Sequence, residues 1–530
     1  VKYPSRISGY IAILATFLWA VWPLQISSVL YVVQRMVLLS SFFVLTGLYV
    51  YVKYRENFSD EWRNDVGKWA AYLFIIALCG FLAIFSKESG VLLVVYIAAL
   101  ELVLYSGSQS FSRYEKWFRY VALPVPLLGL IGFLFYKVLS QGELLYLARE
   151  FTLQERLLTE CRILFDYLGS LFLPKVSSLG LYHDAYPKST SIFEPLTTFF
   201  SLLFLVISAI LGLAYRKKLP LISLAILWFL GGHLLESTVL PLELYFEHRN
   251  YLPIMMLTLA FVTLAFSLIK NASKASVKWI FSSVFVIYGV IISGVTYSQV
   301  VVWGNKLNYG MVQAMEHPES VRARTLLIDV YNELGQVDKG FEEFQKMQED
   351  FPQVAGIIVG HIEFACYDPK YPLLPIEEVV QKLEKAKFGY GVIVSVANTI
   401  SEISEQKCQK VQPDYLLNII HALKNNPLYS KKKTLLEGYE VSLLTLMGDY
   451  ERAVDVYASM NVLQPEHWPR YISLLATLKR FDEALMVAEK AIEVLDYQSH
   501  YSIYLDDVKR FKENLKEDIE KNLPKNQNKI

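Results

Sequence analysis

The sequence predicts an all-α protein, a polytopic transmembrane helical bundle of about nine spans followed by an α-solenoid of helical repeats. Three observations carry this. Apolar runs of membrane-spanning length recur through the first 302 residues and then stop. Charge is unevenly shared: residues 1–305 hold 24 Lys+Arg against 17 Asp+Glu, and residues 306–530 hold 27 against 34. A helix–turn–helix periodicity then appears in the second part. The predicted domains are 1–303 in the membrane, 304–512 as a tetratricopeptide-like repeat domain, and 513–530 as a disordered tail. A single soluble enzyme is excluded, and so is a nucleic-acid binder, because neither half concentrates basic residues on one face.

A spanning helix needs roughly 20 mostly apolar residues. Runs near that length cover 7–24, 36–52, 69–85, 91–105, 121–139, 196–215, 219–235, 252–269 and 279–302. Interfacial Tyr and Trp and snorkelling Lys compensate the shorter ones. Basic clusters at Lys53/Arg55/Arg63/Lys68, Arg113/Lys116/Arg119, Arg216/Lys217/Lys218 and Lys270/Lys274/Lys278 fall after alternate spans. A cytoplasmic location for all four places the N-terminus inside and the C-terminal half outside. The sidedness closes only if 153–173 does not cross. Leu157, Cys161, Leu164, Phe165, Leu168 and Phe172 share one helical face there, with Glu155, Arg156, Glu160, Arg162 and Asp166 largely elsewhere, the pattern of a helix lying along the membrane surface.

Beyond Val302, Tyr331, Leu334-Gly335, Phe344 and Pro352 fit a 34-residue helix–turn–helix repeat. Leu446-Met447-Gly448-Asp449-Tyr450 with Ala453, Tyr457 and Pro465 fits it better. A third copy from Leu475 replaces the turn glycine with Arg480-Phe481 and keeps Ala484, Ala488 and Ala491. The pattern weakens between 355 and 435. Such an array either packs as a solenoid or binds a peptide partner on its concave face. The four cysteines, Cys79, Cys161, Cys366 and Cys408, lie far apart without a C-x-x-C, which argues against both a disulfide framework and a zinc site. Cys79 is expected mid-membrane, and the other three read as small buried apolar residues.

Ionisable residues at membrane depth or in tight external loops mark functional positions, since each costs about 2.5–3.5 kcal/mol near a span centre. Lys87 and Glu88 interrupt two apolar runs at Ser86–Ser89, as a tight external turn or as a site. Arg35 opens a span after an external loop, either snorkelling or pairing with Glu88, or else binding a lipid phosphate. The densest group is in 236–253: Glu236, Glu243, Glu247, His248 and Arg249. Glu243 and Glu247, four apart, are expected on one helix face. The group reads either as a salt-bridge knot or as a site for a phosphorylated lipid head group. His183-Asp184 is a weaker candidate. P-loop, G-x-S-x-G, H-E-x-x-H and dinucleotide fingerprints are all missing.

The stretches W-P-L-Q-x-x-S-V-x-Y-V-V-Q-R-M (Trp22–Met36), S-K-E (Ser86–Glu88) and W-F-L-x-x-H-L-L-E-S-T-V-L-P-L-E-L-Y-F-E-H-R-N-Y-L-P (Trp228–Pro253), followed by helical repeats, resemble the bacterial relatives of the transmembrane and tetratricopeptide-repeat protein O-mannosyltransferases. These are GT-C type membrane glycosyltransferases. One departure is Trp22, where relatives show His before the proline. The resemblance implies a polyprenyl-phosphate sugar as donor and transfer to a protein hydroxyl on the external face; the topology suggests a bacterial inner membrane with the repeats on the periplasmic side, and an endoplasmic-reticulum membrane fits it as well. The resemblance further implies donor phosphate or sugar contacts by Arg35, Lys87, Glu88, Glu236, Glu243, Glu247, His248 and Arg249, and leaves divalent metal dependence open. It also implies that the catalytic base lies on a loop N-terminal to Val1, between two further spans. Two other readings compete. One is a non-catalytic membrane scaffold whose repeats recruit envelope proteins. The other is an O-antigen-ligase-like enzyme, which would need a longer late external loop than 236–251.

Overall fold

The computed structural model describes residues 5–56, 65–105, 116–142, 146, 149, 151–174, 179–389, 391–460, 463–496 and 502–522. Arg63 and Arg113 of the expected basic clusters lie outside them. The regular elements described are helices, accompanied by two isolated bridges, Ser191 with Glu194 and Val354 with Lys387. The chain divides into two compact units, Val1–Val337 and Asp338–Ile530.

In the first unit every expected apolar run is helical: Ser5–Ala20, Arg35–Glu56, Val66–Ser86, Leu93–Val103, Pro124–Gln141, Thr197–Ala214, Pro220–Gly232, Met255–Asn271 and Ala275–Trp303. Among the described residues, five helical stretches are long and apolar enough to cross a bilayer: Val32–Glu56, Val66–Ser86, Phe118–Ser140, Thr197–Ala214 and Ala275–Trp303. A sixth exists if Arg6–Ala20 and Pro23–Leu30, bent by 58° at the break, form one span. The remaining runs are cut short by local chemistry. Pro220 sets the start of Pro220–Gly232, and Leu93–Val103 begins only after a tight turn at Glu88–Leu92. Outward-facing Phe85, Leu128 and Trp279 show that the surface of these helices suits lipid as solvent.

Glycine sets two close approaches. A Cβ at Gly90 would meet the Ala83 backbone at 2.3 Å, so only glycine lets the turn after Lys87 fold against the preceding helix. A Cβ at Gly232 would lie 2.7 Å from Tyr96 Oη and from Pro253. That contact lets Trp228 stack on Tyr96 at 4.1 Å and donate its indole N–H to Leu252 O at 3.0 Å. At the far end of Leu93–Val103, Glu101 is buried against Arg55 Nε at 3.0 Å, Arg119 Nη2 at 3.6 Å and the Tyr51 hydroxyl. Arg55 and Arg119, read as loop charges, thus turn inward.

Compact-unit division falls after Val337 rather than at the expected 303, because Lys306–Glu316 and Val321–Glu333 tie back to earlier loops. Arg322 Nη1 lies 2.7 Å from Glu243 and the Ser320 hydroxyl donates to Asp184 at 2.5 Å. The expected disordered tail from 513 is also revised: Ser502–Asn522 is one helix, with Val508 and Leu515, seven residues apart, buried in the second unit's core. Residues 523–530 lie outside the described set.

The second unit is a stack of short helices. The turn before Tyr450–Ser459 and the turn before Phe481–Asp496 share one geometry, with the middle residue at positive φ: Gly448 at 77° and Lys479 at 60°. Each is closed by a six-to-one bond, Asp449 N–H to Leu444 O and Arg480 N–H to Leu475 O. Gly335, at φ 70° with Gln336 N–H on Tyr331 O, has the same turn. The left-handed position of the third copy is therefore Lys479, not Arg480-Phe481. One expectation fails outright: Cys366 and Cys408 form a disulfide across 42 residues. No short spacing announces it, because the folding of the intervening helices brings the pair together.

Candidate functional site

An irregular loop, residues 233–246, joins the helix Pro220–Gly232 to a short 3-10 turn at Glu247–Asn250. Irregular backbone beside apolar helices must find hydrogen-bond partners, and two guanidiniums supply them. Arg156 projects from Leu153–Phe172, a helix started by a Thr152/Glu155 capping box. Its Nε donates to Thr238 O at 2.8 Å, and its other nitrogens donate to Leu242 O and Glu236 O. Arg249 donates to Leu244 O at 2.7 Å and to Glu243 O. The Tyr167 hydroxyl bonds both the N–H and the carbonyl of Phe246, each at 2.8 Å.

The charges under this loop form a chain. Lys87 Nζ sits 2.9 Å from Glu236, Arg249 lies 3.9 Å from Glu236 and 3.6 Å from Glu160, and Arg156 is 3.0 Å from Glu160. All five side chains are under a tenth exposed, and Arg156 is fully enclosed. Burial alone would raise the Glu236 carboxyl, yet Lys87 and Arg249 outweigh it and hold it below its ordinary value. For Glu160 the balance is reversed, and desolvation pushes it up despite Arg249 and Arg156. Desolvation lowers Arg156 to about 10 and, with Lys87 adding repulsion, His248 to about 3. His248 is thus a neutral imidazole, able to offer a hydrogen bond but not a positive charge.

Of the predicted residues, Lys87, Glu236 and Arg249 meet in this network, with His248 buried beside them. Glu247 belongs to a neighbouring group: its Oε1 lies 2.6 Å from His183 Nε2 and accepts the Gly180 N–H at 3.1 Å. The helix expected to align Glu243 with Glu247 is absent, since 241–246 is irregular. Glu243 instead turns to Arg322 at 2.7 Å and Arg149 at 3.8 Å. Arg35 and Glu88 are both exposed and form no ion pair with each other.

Two participants, Arg156 and Glu160, escaped the sequence reading as site residues, and His183 was only a weaker candidate. Arg156 and Glu160 were assigned to the charged side of a surface helix, but that side faces the protein, while Leu157, Phe165 and Phe172 point outward. Their opposite charges at i and i+4 were the available signal. His183 carried only its Asp neighbour as a signal, and its partner Glu247 lies 64 residues away. Among the described residues, Glu247 Oε2 and His248 Nδ1 are buried without a hydrogen-bond partner. Among the described residues, no three His, Cys, Asp or Glu side chains are placed to hold a metal ion. No family model, curated protein or solved structure matches the chain.

Proposed function

We propose that this chain is an integral-membrane glycosyltransferase of the GT-C kind, moving a sugar from a polyprenyl-phosphate donor to a protein hydroxyl on the external face. The observation that carries this reading is the buried Lys87–Glu236–Arg249–Glu160–Arg156 chain beneath an irregular loop at the ends of apolar helices. Ionisable groups there are expensive, and a polar site at a lipid boundary suits a donor that arrives in the bilayer.

In this reading Lys87 is the main contact of the donor phosphate. An ammonium has three N–H donors, and Lys87 has Glu236 as its ion partner, so donors remain for phosphate oxygens. Arg35, exposed at the start of its helix, adds positive charge. Both would stabilise the negative charge that grows on the phosphate as it leaves. Arg249 acts differently from the direct phosphate ligand first expected. Its guanidinium is engaged by two carbonyls and two carboxylates, so it holds the loop and adds to the local potential. The same reading takes all nine apolar helices as crossings and the second unit as a tetratricopeptide-like array outside, where it would guide acceptor proteins. The Cys366–Cys408 bridge supports that side, because disulfides persist in oxidising compartments.

The test is transfer from radiolabelled polyprenyl-phosphate sugars, using membranes that contain the wild-type protein or Lys87→Met. Transfer by the wild type and at least a tenfold loss in the variant are expected. Wild-type rates in Lys87→Met would remove the phosphate role. A second reading, a non-catalytic scaffold, draws on the pairing of each cation in the chain with a carboxylate. It predicts no transfer by a folded, inserted protein with any donor sugar.

A further inference from the structure

We propose that Cys366 is the sulfur through which the Cys366–Cys408 bridge is made and opened, by exchange with a dithiol–disulfide oxidoreductase acting on the folded second unit. The proposal stands apart from the glycosyltransferase reading. The two sulfurs differ in access. Cys408 is 4% exposed and belongs to the unit's apolar core, whereas Cys366 is partly exposed at the edge of that core. Tyr367, Pro369 and Lys370, which follow it, are exposed, so Cys366 lies at the surface end of its helix. Exchange begins with attack of a thiolate on a sulfur, and the sulfur that solvent reaches decides where the partner attaches.

Local structure places each cysteine without help from the bridge. Cys366 is in the last turn of His361–Tyr367, closed by the Asp368 N–H on Phe364 O at 3.0 Å. Cys408 follows Gly391–Ser404 after a turn with Gln406 at φ 59° and the Lys407 N–H on Glu402 O at 2.8 Å. Lys410 Nζ then donates to Pro369 O at 2.6 Å and to Tyr371 O, and the Tyr415 hydroxyl donates to Leu374 O at 2.8 Å. These bonds join the chain beyond Cys408 to the chain beyond Cys366. The fold thus holds the two Cα atoms 4.5 Å apart, within disulfide reach. Oxidation follows folding here rather than directing it.

The exchange balances with the partner class named. In the making direction the Cys366 thiolate attacks the partner's disulfide, and the partner's second sulfur leaves with the electron pair. The Cys408 thiolate then attacks Cys366 Sγ and expels the partner's first sulfur. The chain's two thiols lose two electrons and two protons, and the partner's disulfide is reduced to a dithiol. Opening runs the same steps backward: a reduced partner attacks Cys366, and Cys408 leaves as thiolate.

The experiment uses the whole protein in detergent and compares wild type, Cys408→Ser and Cys366→Ser. One probe is glutathione disulfide, applied to the two variants. The other is a reduced oxidoreductase whose second active-site cysteine is replaced by serine, applied to the wild type so that mixed disulfides persist. Peptide mass mapping separates these adducts from any at Cys79 or Cys161. Cys408→Ser should couple to glutathione at least about tenfold faster than Cys366→Ser, and the adduct on the wild type should map to Cys366. The wild-type arm needs no substitution, so it decides the matter even where a variant misfolds. Equal coupling rates in folded variants, or a wild-type adduct at Cys408, overturn Cys366 as the point of entry. A bridge that exchanges only at unfolding concentrations of urea overturns action on the folded unit. Free thiols at both positions, in protein taken from an oxidising compartment, overturn the proposal altogether.

Discussion

The two ends of the helix Leu93–Val103 each meet a cluster of buried charge, and the clusters are built on different plans. Near its start, Lys87, Glu236, Arg249, Glu160 and Arg156 form a chain in which Glu236, Arg249 and Glu160 each have two ion partners. Near its end, Glu101 is a hub shared by Arg55, Arg119 and Tyr51. Helix ends supply the hub, whereas a loop, a turn and a surface helix supply the chain. A hub concentrates dependence on one residue, while a chain spreads it. A chain is therefore the better support for a site that must tolerate an arriving charge.

Removing the hub carboxylate should have the largest effect. Glu101→Ala leaves the buried Arg55 and the partly buried Arg119 without that carboxylate and should cost about 3–5 kcal/mol. Thermal unfolding in detergent should then show a clearly larger loss than Glu160→Ala, whose partner Arg249 retains Glu236 and whose partner Arg156 retains three loop carbonyls. The reverse order would break the comparison. Next, Arg156→Met removes the donors to three loop carbonyls. Charge-assisted bonds are worth about 1.5–3 kcal/mol each, so the loop should open and limited proteolysis within 236–242 should quicken while the Glu101 end stays protected. Unchanged cleavage would show that Arg249 and Tyr167 suffice.

Protonation sharpens the contrast further. His248 has a folded pKa of about 3, below the ordinary 6.5 of a free imidazole. Its contribution is therefore complete above about pH 6.5 and is lost as pH falls toward the folded value. Glu236, also depressed, acts in the same direction at lower pH. Stability should decline on acidification from pH 6.5, and His248→Gln should flatten that decline. An identical slope in the variant would remove His248 as its source. The smallest effect belongs to the rim. Arg322→Ala breaks a half-exposed pair with Glu243 and should cost no more than about 1 kcal/mol, with activity retained. A larger loss would mean that the tether to Val321–Glu333 is part of the site.

Much of the helical layout was legible because its cause is local. Apolar runs such as 36–52 and 196–215 emerged as Arg35–Glu56 and Thr197–Ala214, since length and hydropathy act within one segment. Gly335 and Gly448 marked helix-ending turns because only a residue tolerant of positive φ closes them easily, whereas Lys479 gave no such signal. The dense 236–253 stretch located Lys87's partner but misjudged the backbone. Local spacing predicted a helix for Glu243 and Glu247, and the loop instead satisfies its polar groups through Arg156 and Arg249.

The sequence by itself determined that the protein is helical, that its first part is apolar enough for several spans, and where ionisable residues interrupt that surface. Those properties follow from composition and periodicity along a single segment. Only the tertiary structure decided which charge meets which. Lys87 follows one helix and meets Glu236 in a distant loop, Arg156 turns its guanidinium inward, His183 finds Glu247, and Cys366 reaches Cys408. Each pairing is set by the three-dimensional return of the chain over tens of residues, a distance across which sequence spacing carries no geometric information.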